Sequence, residues 1–515
     1  MSDHPPGPAP GKAMLPVRNR GLLTVGVMGA MIMQILDTTI ANVALPHMQT
    51  SLGATGETVT WVLTSYIVAS AIAIPATGWL SDRLGSRNLF LFAVGGFIIA
   101  SMLCGTAISL EEMVLFRVAQ GVFAAFIGPL SQTAMLDINP PERAAKAMSV
   151  WGMGVMVGPI MGPVIGGWLT ESYNWRWVFY VNLPVGLLTF AILWFLLPSR
   201  PKAKRSFDAM GFAMISIAVA SFQLMLDRGQ HDDWFASWEI MIEALVAAAA
   251  LWMAIVHLAT ADKPLFDRAI FKNRNLVMGM IFMVVIGIST MAPMALLPSM
   301  LQQLFGYPVV DTGLMLAPRG VGVLLTMFLA GQMMGKVDTR LVIVVGLIIF
   351  AYSLYQMSTW SLEMDFWPVI ISGFVQGLGM GLVFMPLNSL AFATLSHNYR
   401  TDGASLLNLF RNVGQSAGIS MVTVLLARNI QTSHSDLASH VTATTIPSLD
   451  LSTVDRFGAL SDSVFSYADA MINRQAAMIA YIDDFYLMAW ISIAVLPLVF
   501  FLKKPKGKVE AVLAE

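Results

Sequence analysis

The chain has 515 residues, 56% of them hydrophobic and only 12% charged, against about 25% charged in a soluble domain. The charges are missing from long stretches and gathered between them, which excludes one large soluble core and indicates many membrane crossings. A formal net charge of −1 offers no basic field for nucleic acid.

Residues 1–20 form a Pro-rich, basic tail containing Lys12, Arg18 and Arg20. The apolar run 22–45 is too long for a signal-peptide core, and no clear small-residue cleavage site follows it, so it reads as an uncleaved first span. Further segments of span length fall at 58–79, 89–108, 112–136, 147–169, 177–197, 208–226, 237–260, 276–303, 310–334, 341–358, 366–388, 403–427 and 485–502. Helices are the spanning form such segments can take, so the expected fold is an all-α membrane protein of fourteen transmembrane helices. With a cytoplasmic N-terminus, 22 of the 30 Lys and Arg lie in segments on the inner side. That bias supports both the orientation and an even count, because an odd count would strand the Lys-rich tail 503–515 outside.

The stretch Gly78–Arg87 resembles Gly331–Arg340 at an offset of 253, and Gln120-Gly121 resembles Gln376-Gly377 at 256. Two homologous halves of six spans need only about 180–200 residues each, so roughly two extra spans separate them. The expected organisation is a tail to residue 20, a six-helix bundle at 21–200, two inserted helices at 201–262, a second six-helix bundle at 263–502 and a tail at 503–515. A long outer segment, about 428–484, is either a solvated, mobile loop or a docking surface for an extracytoplasmic partner. Its part from Asp462 to Tyr481 has enough Ala and Met to form a helix.

Asp37 lies about two-thirds along the first span. A carboxylate at bilayer depth costs on the order of 2.5–3.5 kcal/mol and is expected to face a bundle interior or wet cavity. It reads as a proton or cationic-substrate site, or as a helix-packing hydrogen-bond group, with Thr38, Thr39 and Asn42 supplying polar atoms nearby. Gly78, Asp82, Arg83, Gly85 and Arg87 form a loop after the second span. The acid can bind helix N-termini, the arginines can pair with acids or lipid phosphate, and Gly85 permits a tight turn; a simple topology-setting basic loop is the other reading. Arg117, inside the fourth span, needs an acid or carbonyls and is either a coupling residue or a tether. Arg411 repeats that argument more weakly; with Asn388 and Asn408 it makes a candidate polar site in the second half. Arg319, beside Pro318, stays open between a functional and a structural role. Gly154, Gly158, Gly162 and Gly166 recur every four residues, with Pro159, Pro163 and Gly167 among them; this forms a groove for close helix approach, read as ordinary packing or as a hinge. The lone cysteine, Cys104, reads as a small core residue. Most of the 36 Met read as core or lipid-facing residues, although their flexible thioethers suit a cavity that repacks around varied ligands. No phosphate-binding Gly-rich loop and no metal-ligand spacing occur in the sequence, so neither an ATP motor nor a metal site is expected.

These motifs together resemble the major facilitator superfamily, specifically its fourteen-span drug:proton antiporters of the EmrB/QacA type, over most of residues 20–427. The resemblance rests on Leu36–Pro46 and Trp175–Pro184 and on three further stretches. Gly78–Arg87 is similar to the family's gating motif, Arg117–Gly121 to its proton-transfer motif and Gly154–Gly167 to its antiporter motif. It departs at Phe123, where a small residue is common, and at Gly335, which replaces the acid of the second-half gate. The resemblance implies that Asp37 and Arg117 take part in proton and substrate exchange, that Asp82, Arg83 and Arg87 latch the inner gate, and that the chain is not an enzyme. It implies export of hydrophobic drugs or toxic compounds across a bacterial inner membrane, with the proton as coupling ion and no cofactor. A periplasmic adaptor and an outer-membrane channel are implied partners. A dedicated exporter of one metabolite is the second reading; a non-transporting receptor or membrane-embedded enzyme is the third.

Overall fold

The computed structural model describes residues 13–55, 58–140, 143–200, 202–203, 205–229, 234–334, 336–440 and 459–503. Regular structure in these residues is helical, apart from one isolated bridge between Met334 and Val337. The first group of helices comprises α1 (Arg20–Ser51), α2 (Trp61–Ala73), α3 (Thr77–Leu84), α4 (Ser86–Thr106), α5 (Leu110–Asp137), α6 (Ala144–Ser172), α7 (Trp177–Tyr180) and α8 (Asn182–Leu196). A 3-10 turn at Ile74–Ala76, containing Pro75, joins α2 and α3 into one crossing, as expected where proline removes a ladder hydrogen bond. Next come α9 (Ala209–Arg228) and α10 (Trp238–Thr260). The last group comprises the short α11 (Arg268–Lys272), then α12 (Arg274–Gln303), α13 (Val309–Met333), α14 (Thr339–Met357), α15 (Trp367–Ala393), α16 (Arg400–His440) and α17 (Ala459–Ala494).

Helix starts carry local caps. Asn19 accepts from Leu22 N, Asp208 from Gly211 N and Asn273 from Leu276 N, satisfying amides the helix cannot pair internally. Ser109 accepts from Glu112 N, while Glu112 accepts from Ile108 N, a reciprocal cap at the start of α5.

Among the described residues, thirteen helical segments are long and apolar enough to cross a membrane. The expected span at 403–427 falls within α16 and is not one of them. Asn408, Arg411, Asn412, Gln415 and Ser416 interrupt its apolar run. Residues 400–409 are nevertheless largely buried, and α16 packs on α5, α12 and α17. Its packing against these helices puts it inside the bundle, where the sequence expects a span.

The outer segment departs from the loop reading where α16 extends beyond 427, while the helix expected from Asp462 to Tyr481 is present within α17. α16 continues to His440 and α17 begins at Ala459, so 428–440 and 459–484 are helical; residues 441–458 lie outside the described residues. His434 on α16 meets Asp469 on α17 at 3.0 Å, an exposed contact between the two helix extensions.

Within the first group α1 packs on α6 and α8, and α5 on α2 and α4. Within the last, α12 packs on α16, and α15 on α13 and α14. The groups meet mainly through α6 against α13 and α5 against α16. The pair α9–α10 lies to one side, with α9 touching both α2 and α16. Gln223 of α9 donates to Ser416, and Thr64 of α2 donates to Asp227 of α9.

Candidate functional site

Asp37 sits at the centre of a polar cluster sealed inside the first helix group. Its Oδ2 lies 2.6 Å from Arg117 Nη1, and both side chains are 0% exposed. Its Oδ1 accepts from Gln120 Nε2 at 2.8 Å and from Asn182 Nδ2 at 2.8 Å. Asn182 also donates to Ser101 Oγ, which donates to the carbonyl of Phe179. Arg117 donates through Nε to Val62 O and through Nη1 to Gln120 Oε1, and its guanidinium lies 4.2 Å from the centre of the Tyr66 ring. One donor, Arg117 Nη2, has no hydrogen-bond partner among the described residues. Residues of five helices thus meet in one cluster around this carboxylate of α1. A buried pair persists only where further hydrogen bonds offset the desolvation of its members; here α5 and α8 supply those to Asp37, α2 bonds Arg117 and α4 bonds Asn182.

The other first-span residues are placed differently. Thr38 donates to Gln34 O in its own helix. Thr39 donates to the carbonyls of Ile35 and Leu36 and reaches Gly158 O of α6 at 3.3 Å. Asn42 is exposed and stands outside the Asp37 cluster. The α6 glycines face α1: a Cβ on Gly154 would lie 1.8 Å from Met28 Cε, one on Gly158 2.5 Å from Ile35 Cγ2 and one on Gly162 2.0 Å from Thr39 Oγ1. A Cβ on Gly166 would meet Ile40 at 3.2 Å. The row is therefore a seam in which the α6 backbone lies against α1. Pro159 and Pro163 stay within the continuous helix α6 and line a cavity.

At the face carrying the two ends of the described chain, residues 13 and 503, ionic contacts join the helix groups. Arg205 Nη1 lies 2.8 Å from Asp402 Oδ2 and 3.7 Å from Asp82 Oδ2, bridging α3 and α16. Burial works against charge on Arg205, but Asp402 and Asp82 outweigh it and hold its pKa above the ordinary arginine value. Gly78 allows this approach, because a Cβ there would lie 1.7 Å from Asp402 Oδ1. Asp137 on α5 accepts from Arg200 and, at 3.1 Å, from Arg400 Nη1 on α16. Gly85 turns the chain at φ +91, in the left-handed region that favours glycine. Arg83 stacks on Trp79 at 5.1 Å, and Arg87 donates to Trp194 O at 2.6 Å; neither meets a carboxylate among the described residues.

A cavity of about 320 Å³ lies between the groups and is mainly apolar. Gln34, Thr38 and Tyr66 form the part of its wall next to the Asp37–Arg117 cluster. Arg319 and Arg411 line its other side. Asn388 and Asn408 lie towards the side carrying residues 13 and 503, where Gln132 of α5 donates to Asn388 Oδ1 at 2.9 Å and accepts from Asn408 at 3.2 Å. Gln132 and Asn388 are 256 residues apart, the same offset as Gln120 and Gln376. Residues at equivalent positions of two parallel repeats meet where they approach the axis between them.

Several of these partners were not among the residues singled out from the sequence. Gln120 and Asn182 stand in motifs quoted above, but without an assigned role. Arg200, Arg205 and Arg400 enter the sequence reading only in the charge tally, and Gln132, Asp137 and Asp402 not at all. The available signal was that Gln132 shares an offset with Asn388 and that Asp137 and Asp402 are acids at the ends of apolar runs.

Residues 27–419 match the Major Facilitator Superfamily. The chain is 35% identical over 490 residues to the multidrug export protein EmrB of Haemophilus influenzae, covering 94% of this chain and 96% of that protein. It is 34% identical over 484 residues to the fatty acid resistance protein FarB of Neisseria gonorrhoeae, covering 92% and 94%. Among solved structures, the human organic anion transporter MFSD10 superimposes with a TM-score of 0.58 at 14% identity, covering 92% of this chain and 99% of that one; this likeness concerns the fold.

Proposed function

The chain belongs to the major facilitator superfamily as an efflux transporter similar to EmrB, and from that premise we propose that it is a proton-coupled antiporter that exports hydrophobic compounds by alternating access. The observation that carries this reading is the sealed pair Asp37–Arg117 beside the central cavity. A proton arriving on Asp37 removes the charge that holds Arg117 and weakens the bonds from Gln120 and Asn182. That loosens α1 against α5 and α8, while Tyr66, stacked on Arg117 and lining the cavity, carries the change to the bound compound. On this reading the latches Asp402–Arg205–Asp82 and Asp137–Arg400 close one entrance and open in the alternate state, the two groups moving as six-helix bundles at 21–200 and 263–502.

We place the chain in a bacterial inner membrane with both termini cytoplasmic; a reporter active only outside the cytoplasm, fused at the C-terminus, should stay inactive. We assign the paired extensions of α16 and α17, joined by His434 and Asp469, as the docking surface for an extracytoplasmic adaptor. Cross-linking from Asp469→Cys to no envelope protein in cells would remove that assignment. The main test is proton-driven uptake of a dye into everted vesicles. Wild type should respond to an imposed pH gradient and Asp37→Asn should not, at equal membrane insertion; normal gradient-driven transport by Asp37→Asn overturns the coupling role. A dedicated exporter is separated by a resistance panel, in which protection against a single compound supports dedication.

A further inference from the structure

Several enclosed or half-buried arginines among the described residues meet a carboxylate. Arg117 has Asp37, Arg200 and Arg400 share Asp137, and Arg205 has Asp402. Arg319 and Arg411 break the pattern. Arg319 is buried in α13, and its hydrogen bond is from Nη2 to the carbonyl of Thr290 at 3.2 Å. Arg411, on α16, donates from Nη2 to Asn408 Oδ1 at 2.9 Å, while its buried Nε has no partner among the described residues. Both line the central cavity, and its lining residues include no Asp or Glu. Asp37, the nearby acid of the first group, is engaged by Arg117.

A guanidinium cannot give up its charge at physiological pH, and an unmatched one at bilayer depth is costly. The missing element is a negative charge delivered into the cavity. The remaining wall is dominated by apolar side chains, including Met291, Met294 and Phe384, which suit a hydrophobic body of variable shape. We propose that Arg319 and Arg411 hold the anionic head of an amphipathic substrate in this cavity, so that the exported compounds are chiefly hydrophobic organic anions. This rests on the transporter reading above and adds the substrate's charge and the residues that select it. The planar fork of arginine suits a carboxylate or sulfonate by paired hydrogen bonds. The two arginines stand on different helices of the last group, so an anion between them also ties α13 to α16 when the site is filled.

The test is equilibrium binding to the full chain in lipid nanodiscs without any proton gradient. Three probes share one ring system: 1-naphthoate, the neutral 1-naphthamide and the cationic 1-naphthylmethyltrimethylammonium. Naphthoate should bind at least about tenfold more tightly than either of the others. Arg319→Gln and Arg411→Gln should each weaken naphthoate binding about tenfold while leaving naphthamide binding unchanged, and Arg319→Lys and Arg411→Lys should retain part of the preference. Unchanged naphthamide binding shows that the Gln variants have folded. Equal affinity for the three probes, absence of binding by all three, or an anion preference that survives both Gln substitutions overturns the proposal. Because the assay uses no pH gradient, it can fail while gradient-driven efflux of other compounds succeeds. Conversely, anion binding can persist in Asp37→Asn when coupled transport is lost.

Discussion

Arg117 places its Nη1 2.6 Å from Asp37 Oδ2, with both side chains fully enclosed by protein. The contact joins α5 to α1 across 80 residues of sequence. Its energetics are asymmetric. Loss of one member of such a pair strands the other as a buried charge, whereas loss of both charges removes the cost as well as the attraction.

Arg117→Gln should therefore destabilise the protein by about 3–5 kcal/mol. Combining it with Asp37→Asn should recover most of that loss. Thermal unfolding of the purified variants checks the cycle. Additive losses in the double variant would show that the two side chains do not act as a pair. Proton-driven uptake should be absent from both single variants and from the double, which separates stability from coupling.

The glycine seam of α6 makes graded predictions. Gly162→Ala drives a Cβ to 2.0 Å from Thr39 Oγ1 and 2.6 Å from its Cβ, and the branched side chain has little room to turn. A loss of about 1–3 kcal/mol is expected. Gly154→Ala meets the far end of flexible Met28 and should cost less than Gly162→Ala. Unfolding temperatures in one detergent give the order, and a reversed order contradicts the packing described.

The latch on the face carrying residues 13 and 503 predicts a shift in accessibility. Asp402→Asn removes the charge that holds Arg205 at 2.8 Å. In a Cys104→Ala background, a thiol placed by Met291→Cys in the cavity wall should react about tenfold faster with an impermeant maleimide added from that face, a bias of about 1.4 kcal/mol towards the open state. Equal labelling rates with and without Asp402→Asn would mean that this contact does not control entry.

Asp267 caps α11 by accepting from Ala269 N at 2.8 Å, and it also accepts from Tyr399 Oη at 2.8 Å. The backbone bond is the leading cause that holds its carboxyl below the usual range. A depressed carboxylate contributes stability above its ordinary pKa and loses it as pH falls through the depressed value. Asp267→Ala should cost about 1 kcal/mol at pH 7, and the gap from wild type should close as pH drops below about 4. Unfolding temperatures across that range measure it; a gap that stays constant with pH would point to lost packing.

The sequence by itself determined the local features. Apolar length marked fourteen segments, thirteen of which coincide with helices long and apolar enough to cross a membrane among the described residues, and the four-residue spacing from Gly154 to Gly166 marked one face of α6 for close approach. The depth of Asp37 in its span marked it as a group needing enclosure. These follow from one helix at a time, because a 3.6-residue period and bilayer thickness act on a single segment. The partners did not follow. Asn182 reaches Asp37 across 145 residues and Arg400 reaches Asp137 across 263, and such pairings depend on the rotation and sliding of one helix against another. The span expected at 403–427 lies in α16, where polar residues weaken the apolar signal while the bundle encloses the helix. The outer end of α16 reads as a loop because Ser, Thr and Asp dilute the apolar pattern, whereas the Ala and Met of 462–481 already favour the helix found there in α17; contacts between the two helices include His434 with Asp469. Only the tertiary structure distinguished the arginines that have a carboxylate from Arg319 and Arg411, because a counter-ion is supplied by neighbours in space.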